Sequence, residues 1–231
     1  MVLAAPGTNR DHDAAFALDL AGAEPRLTLL AELAADPALL HDAQLLVLAG
    51  GFSYADALGA GRMWALSLVH VIGDALTQFV EAGKPVIGIC NGFQVLTRTG
   101  LLPGSLAHNV SGQFQCDWVT VQAQPSSRCI WTRDLDTIDC PIAHGEGRYV
   151  HPDTAALAAS GQIALRYVGA NPNGSLDAIA GVCDPSGVVL GLMPHPENHV
   201  VARQHPQHAR GAGAGSGLAL FEQGVRYAKE R

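Results

Sequence analysis

The sequence predicts an α/β fold with a mixed, mostly parallel central sheet to which antiparallel strands are added in the C-terminal half. Two short apolar runs, 44–49 and 85–89, have the length and composition of buried strands. Between them, apolar residues recur at helical spacing from Arg62 to Ala82, and Gly83 is placed to cap that helix. A strand, a helix and a strand in this order form a βαβ unit, whose two strands are parallel.

The two ends of the chain extend this pattern in different ways. Val2 to Ala5 is predicted as a strand, Pro6 to Asn9 as a loop, and the next Ala- and Leu-rich segment as a helix that ends near Ala21. Beyond Gly104 the predicted strands are short and separated by turn signals, which favours antiparallel pairing. These strands are expected at 117–121, 163–168, 178–183 and 188–193.

One domain is expected over residues 1–231, because no flexible linker separates the two halves. Only the stretch from Arg210 to Gly217 resembles a linker. After it, Leu218, Phe221 and Val225 place one apolar face on a closing helix.

Composition excludes several classes of function. The hydrophobic content of 48% is enough for a sizeable core, and the formal net charge of -7 indicates no basic surface for nucleic acid. Small or acidic partners are more compatible with this charge. No uninterrupted apolar run approaches the ~20 residues of a membrane span, and Met1 to Ala5 does not resemble a signal sequence, so a cytoplasmic protein is expected.

The five cysteines are odd in number, widely spaced and without a CxxC pair. They therefore support neither a disulfide framework nor a zinc knuckle. One of them, Cys90, lies in Gly88-Ile89-Cys90-Asn91-Gly92, the pattern of a nucleophile elbow, in which a strand turns sharply into a helix.

At such a turn the thiol lies near a helix N-terminus, which favours the thiolate, and the N–H of Asn91 is placed to hold an oxyanion. Taken alone, Cys90 is more compatible with a small buried core cysteine than with a nucleophile. The glycines on either side favour the nucleophile.

A cysteine nucleophile needs a base and an acceptor that orients it. His195 follows the last predicted strand and lies between two prolines, which favour extended backbone. In extended chain, residues two apart face the same way, so Glu197 is expected to support the imidazole of His195. The spacing by itself suits a surface loop equally well.

No metal site is predicted. His195 and His199 are four apart, but Pro196 argues against the regular helix that a His-Glu-x-x-His zinc motif requires. The loop Gly50 to Tyr54 follows a strand next to the cysteine strand. The N–H groups of Gly51 and Phe52 are therefore candidates for the oxyanion hole, although a plain tight turn explains the glycines equally well.

Several motifs together resemble the class I glutamine amidotransferases, in particular the glutaminase subunits of phosphoribosylformylglycinamidine synthase. They occur in the family's order and span nearly the whole chain. The cysteine elbow and the late His-x-Glu belong to the wider class, whereas Cys-Asn-Gly-Phe-Gln, His-Gly-Glu-Gly and Asn-Pro-Asn-Gly-Ser indicate the subfamily. The matching segments are 6–9, 50–54, 88–94, 141–147, 171–175 and 194–197.

The resemblance implies a flavodoxin-like three-layer sandwich in which Cys90 attacks the side-chain amide of glutamine and His195, held by Glu197, transfers protons. It implies that Gln94 lines the glutamine site, beside oxyanion donors near Gly51, Phe52 and Asn91. The loop from His144 to Gly147 is left open between contact with substrate, contact with a partner and a simple turn.

The resemblance also implies partners. A large synthetase subunit would use the ammonia to convert formylglycinamide ribonucleotide to formylglycinamidine ribonucleotide, with a small accessory subunit in many such systems. ATP and magnesium are expected on the synthetase, and no cofactor is expected on this chain.

The sequence departs from the family pattern at Ala49, Ala55 and Asn198, none of which is in the triad, and in the His- and Gly-rich stretch 199–217. Three alternatives stay open: another cysteine hydrolase or amidotransferase subunit on the same fold, a non-catalytic regulatory subunit, and a metal-dependent hydrolase.

Overall fold

The computed structural model describes residues 1–211 and 217–231 and arranges most of their strands in a nine-stranded sheet. The predicted linker 210–217 therefore lies largely outside the described residues. The described strands, in chain order, are β1 Val2–Ala4, β2 Leu27–Leu29, β3 Leu46–Leu48, β4 Val86–Ile89, β5 Ser105–Ala107, β6 Gln115–Ala123, β7 Thr137–His144, β8 Arg148–Val150, β9 Ile163–Val168, β10 Ile179–Cys183 and β11 Val189–Leu192.

The helices are α1 Asp11–Leu20, α2 Leu30–Ala35, α3 Leu39–Asp42, α4 Arg62–Glu81, α5 Asn91–Arg98, α6 Thr154–Ala159 and α7 Leu218–Lys229. Helices α1 to α5 lie between the parallel strands, α6 lies between β8 and β9, and α7 closes the chain. The predicted helices that correspond to α1 and α4 are present, whereas β2, α2 and α3 were not predicted.

The nine strands follow the order β2-β1-β3-β4-β11-β10-β9-β6-β7. The first five are parallel to one another, and each later pairing is antiparallel. Strands β5 and β8 form a separate antiparallel pair. The predicted fold class, a mixed sheet with antiparallel strands added in the C-terminal half, is confirmed.

Strand β7, which was not predicted, forms one edge of the nine-stranded sheet. Strand β7 buries alternate residues, Ile138, Cys140, Ile142 and His144, but Pro141 at its centre argues against an internal strand. The structure places β7 at the edge of the sheet, where a residue without an N–H is tolerated. The carbonyl of Pro141 accepts the N–H of His195 at 2.8 Å, so this edge also holds the chain that follows β11.

Helix α4 is long and apolar enough to cross a membrane by length and mean hydropathy, which is 1.3. Its Trp64, Leu68 and Phe79 side chains are nevertheless buried within the fold. The core helix of a folded domain has the same length and composition, and α4 packs against α2, α3 and α5.

The centre of the parallel half positions the residues of interest. Strand β4 lies between β3 and β11, and all three run in the same direction. Their carboxyl ends therefore meet at one edge of the sheet, where ligands of α/β proteins bind. Gly50 follows β3, Cys90 follows β4, and His195 follows β11.

We expect Gly92→Ala to lower the free energy of unfolding by about 1–3 kcal/mol or more, because a Cβ at this position would lie 2.1 Å from the carbonyl oxygen of Leu48. Urea denaturation of both proteins measures the difference. Gly73→Ala in α4 is the matched control. Its Cβ meets nothing closer than 3.5 Å, so the change is expected to raise stability by up to about 1 kcal/mol. Equal stability of the two variants would contradict the packing argument.

Candidate active site

Cys90 occupies the turn between β4 and α5 with φ 50° and ψ −101°, a conformation that is unfavourable for a residue with a Cβ. The strained turn is held on both sides. The N–H of Cys90 donates to the carbonyl of Leu192 on β11 at 2.8 Å, and its own carbonyl accepts the N–H of Gln94 at 3.1 Å. The side chain is 5% exposed and its Sγ lies 3.8 Å from the carbonyl oxygen of Ala143.

The imidazole of His195 and the carboxylate of Glu197 form a buried pair. The distance from His195 Nδ1 to Glu197 Oε1 is 2.6 Å, and the two residues are 3% and 0% exposed. Gly50 makes room for the ring, since a Cβ there would lie 2.8 Å from its Cε1.

The backbone geometry of this pair differs from the prediction of extended chain. Pro196–Asn198 form a turn of 3-10 helix, closed by the N–H of Asn198 on the carbonyl of His195 at 3.1 Å. Proline fits the first position of a helical turn, where no N–H is needed. Glu197 therefore reaches Nδ1 by curling back around the turn.

The charges around His195 keep its imidazole protonated. Burial acts to lower the pKa, but the negative charge of Glu197 and the neighbouring thiol group of Cys90 outweigh it and raise the pKa to about 10. The side chain of Cys90 is close enough to the ring to favour its charged form. Because Glu197 holds Nδ1, the other ring nitrogen is the one that serves Cys90.

Of the three N–H groups predicted as oxyanion donors, one is already hydrogen-bonded within the described part of the protein and two are not. The N–H of Phe52 donates to the carbonyl of Gly7 at 3.1 Å, so it is not the free donor that the sequence analysis expected. The N–H of Gly51 makes no hydrogen bond to any residue that the structure describes. The N–H of Asn91 belongs to the first turn of α5, where no partner exists within the helix. Gly51 and Asn91 are therefore the two candidates.

Gln94 is buried and acts as a bridge. Its Oε1 accepts from Asn91 Nδ2 at 2.9 Å, and its Nε2 donates to the carbonyl of Glu146 at 2.8 Å. Asn91 in turn accepts the N–H of Ser53 at 3.2 Å. The three loops around the cysteine are thus tied together by side-chain amides.

A cavity of about 160 Å³ opens at Cys90 and includes four of the predicted site residues. Other lining residues, notably Asp56 and Phe114, were not predicted, because no spacing in the sequence relates their loops to the cysteine. A larger cavity of about 790 Å³, between α4 and α5, has no cysteine in its lining. The residues around the smaller cavity are Gly51, Phe52, Asp56, Ala60, Cys90, Gln94, His108, Phe114, Ala143, His144, Gly145 and Glu146.

His144, at the end of β7, lies on this cavity wall and is 2% exposed. Burial lowers its pKa to about 4, with a smaller effect in the same direction from His195, so it is neutral at pH 7. Asn173 Nδ2 lies 3.5 Å from Nε2, while Nδ1 has no hydrogen-bond partner among the described residues. Of the three roles left open for the loop 144–147, this position favours contact with a ligand.

His199 turns away from the cysteine. Its Nδ1 lies 2.5 Å from the carbonyl oxygen of Asp139, so the ring donates there, and its faces meet Trp118 and His205. His195 and His199 therefore do not converge on a common point. In the described parts of the chain, no group of three or more His, Cys, Asp or Glu side chains is placed to hold a metal ion.

Comparison with known proteins identifies the family of this chain. A sequence model of the CobB/CobQ-like glutamine amidotransferase domain matches residues 1–228. The phosphoribosylformylglycinamidine synthase subunit PurQ of Treponema denticola is 46% identical over 98% of this chain and 97% of its own length. The corresponding subunit of Dehalococcoides mccartyi is 39% identical over 100% of this chain and 97% of its own length.

Two solved structures are similar to this chain. A chain of PurLQS from Thermotoga maritima has a TM-score of 0.81 and 38% identity, covering 98% of this chain and 96% of that one. A glutamine amidotransferase from the same organism has a TM-score of 0.53 at 17% identity, covering 99% of this chain and 91% of that one, and so shares the fold.

The buried His195–Glu197 pair is expected to make the stability of the fold depend on pH. Because the folded-state pKa of His195 is above its ordinary 6.5, protonation stabilises the fold fully below about pH 6.5, and this contribution is lost as the pH rises towards 10. We expect Glu197→Gln to lower the free energy of unfolding by up to about 3–5 kcal/mol near neutral pH. The difference in unfolding free energy between the unaltered chain and the variant should become smaller towards pH 10.

Denaturant titrations across this pH range measure the difference. Glu222→Gln on α7 is the control, because that side chain is exposed and its replacement is expected to have a small effect that is constant with pH. A difference for Glu197→Gln that widens with pH would contradict the assigned protonation state.

Proposed function

Because the chain belongs to the CobB/CobQ-like glutamine amidotransferase family, and within it to the PurQ subunits of phosphoribosylformylglycinamidine synthase, we propose that Cys90, His195 and Glu197 form the triad that hydrolyses glutamine. The chain is the glutamine amidotransferase subunit of this enzyme of purine biosynthesis.

In the first step, Cys90 Sγ attacks the side-chain amide carbon of glutamine, and the amide oxygen becomes an oxyanion. The N–H groups of Gly51 and Asn91 are the donors available to it, and such donors are worth several kcal/mol in related chemistry. One proton is shared between Sγ and the ring of His195, and the negative charge of Glu197 favours its location on the ring.

In the second step, the tetrahedral intermediate collapses. His195 gives its proton to the departing nitrogen, ammonia leaves, and a glutamyl thioester remains on Sγ. A water molecule then transfers a proton to His195 and attacks the thioester carbon. The carbon–sulfur bond breaks, which restores Cys90 and releases glutamate.

The 2.6 Å contact between His195 Nδ1 and Glu197 Oε1, beside a cysteine held in a strained turn, is the observation that carries this proposal. It assigns each residue a role. Glu197 orients the ring and stabilises its charge, His195 transfers protons, and Cys90 forms the covalent bond.

Ammonia released into water at neutral pH becomes ammonium, which has no lone pair for attack. The half-reaction is therefore useful only with an ammonia-consuming enzyme placed against the site, and we infer a physical partner. The related chain of known structure belongs to an assembly called PurLQS. For this chain the partner would be the large synthetase subunit, with ATP and magnesium bound there, and a small accessory subunit.

Two alternatives use the same fold. Another cysteine hydrolase would keep the triad and change the acceptor, and the subfamily match over nearly the whole chain argues against it. A non-catalytic subunit would have no need for a strained cysteine beside a buried ion pair, because strain at the turn and burial of charge both cost stability.

Cys90→Ala is expected to reduce glutamine hydrolysis by at least about 10³-fold, because no other group can form the thioester. Ammonia release by the complex with synthetase measures the loss. Cys116→Ala is the matched control, since Cys116 is exposed and lies outside the cavity. A Cys90→Ala variant as active as this control would refute the mechanism.

A glutamine-like alkylating agent is expected to label Cys90, which mass spectrometry locates. The exposed Cys116 is the more accessible thiol, so selective labelling of the buried Cys90 requires recognition of the reagent. Free glutamine should slow the reaction at Cys90 only. Labelling at any other cysteine in preference to Cys90 would contradict the site assignment.

Glutaminase activity is expected to be low for the isolated chain and to rise on addition of its synthetase. Titration of the synthetase against a fixed concentration of the chain measures the rise. The same titration with Cys90→Ala tests whether the synthetase itself hydrolyses glutamine. Equal activity with and without the synthetase would show that the partner does not complete or activate the site.

A further inference from the structure

The carboxylate of Glu197 is held by few contacts of its own. Its Oε1 lies 2.6 Å from His195 Nδ1, while its Oε2 is buried and has no hydrogen-bond partner among the described residues. The direction in which this carboxylate points therefore depends on the backbone of the 3-10 turn Pro196–Asn198 that carries it. Contacts that hold the turn also set the geometry of the buried pair.

Strand β7 holds the two residues that flank this turn. The carbonyl of Pro141 accepts the N–H of His195 at 2.8 Å, and the carbonyl oxygen of Asp139 lies 2.5 Å from His199 Nδ1. Both contacts are made outside the turn. They fix where the chain enters and leaves it, and they do not involve its own side chains.

The side chain of Asn198 connects the turn to helix α1. Its Nδ2 donates to Asp13 Oδ2 at 2.9 Å. Asp13 is itself held, since Arg10 Nη1 lies 3.1 Å from the same oxygen, and its place in the first turn of α1 suits a carboxylate. Because the acceptor is charged, the bond from Asn198 is stronger and more directional than one between two amides.

The start of α1 also holds the loop that supplies an oxyanion donor. The N–H groups of Asn9 and Arg10 donate to the carbonyl of Gly50 at 3.3 and 3.2 Å. Gly50 lies against the ring of His195, and Gly51, which follows it, is one of the two oxyanion candidates. The start of α1 is therefore joined to both parts of the site, by its backbone to the oxyanion loop and by a side chain to the turn of the triad.

We propose that Asp13 and Asn198 are positioning residues for the triad. Their hydrogen bond holds the turn against α1, at the place from which Glu197 points to Nδ1 of His195. The inference rests on the proposed function, because it concerns the geometry of the proposed triad. Neither side chain lines the catalytic cavity, so both act through Glu197 and not on the substrate.

The test exchanges donor and acceptor. Asn198→Ala removes the donor, Asn198→Asp places a second carboxylate against Asp13, and the double variant Asp13→Asn with Asn198→Asp restores a hydrogen bond of opposite direction. Asp19→Asn is the matched control, because Asp19 is exposed on the same helix. Ammonia release from glutamine is measured for the complex with synthetase. Proton NMR of the full chain at neutral pH follows the low-field resonance of the proton between His195 Nδ1 and Glu197.

Asn198→Ala is expected to lower kcat about tenfold and to change KM for glutamine by less than about twofold, since a displacement of about 1 Å can cost about 10²-fold and a loosened turn costs less. Asn198→Asp should lose more, because two carboxylates repel each other. The low-field resonance should broaden or move to higher field in both. The double variant should recover most of kcat and the resonance, and the control should match the unaltered chain throughout.

Both single variants with unaltered kcat and resonance would overturn the inference. So would a double variant no better than Asn198→Asp, or a loss of thermal stability without any change in the resonance, which is the behaviour of a contact that only stabilises the fold. Asn198→Ala keeps the inference testable if Asn198→Asp does not fold. An unaltered chain that releases no ammonia from glutamine would overturn the proposed function, and the resonance would still decide whether the contact positions the pair.

Discussion

The turn from β4 into α5 is the constraint on which the site depends. It must pass so close to β3 that only the hydrogen of Gly92 fits against the carbonyl of Leu48, and it bends so sharply that Cys90 takes a positive φ. Such a conformation is unfavourable in isolation and persists because the packed sheet leaves no alternative. Its N–H bond to Leu192 ties the turn to β11, the strand that leads into His195. The nucleophile and its base are therefore placed by the same three strands.

Burial determines the chemistry of the remaining residues in two opposite ways. His195 is as enclosed as His144, yet one ring is cationic at neutral pH and the other is neutral. The difference is the partner. Glu197 lies 2.6 Å from His195 and outweighs the cost of burying its charge, whereas the neighbour of His144 Nε2 is the uncharged side-chain amide of Asn173. The site thus combines a charged histidine, His195, with a neutral histidine, His144, on the cavity wall.

The parts of the site that could be predicted from the sequence are those whose residues are close together along the chain. Glycines two residues before and after Cys90 predict the turn, and His195 and Glu197 are close in sequence as well as in space. The prediction of extended backbone at this pair was wrong because Pro196, taken there as a sign of extension, is equally suited to start a 3-10 turn. The expectation that Phe52 offers a free N–H fails for a similar reason: its partner, Gly7, belongs to a loop 45 residues earlier.

By itself, the sequence determined the alternation of strands and helices, the fold class and the identity of the residues that could act as nucleophile, base and orienting acid. These follow from periodicity, turn chemistry and short spacing, which are local properties. Only the tertiary structure decided that β7 closes the sheet edge despite Pro141, and that Asp56, His144 and Glu146 share a cavity with Cys90. Those outcomes depend on which distant segments pack together, and packing is settled by the burial of the whole sheet rather than by any one stretch of chain.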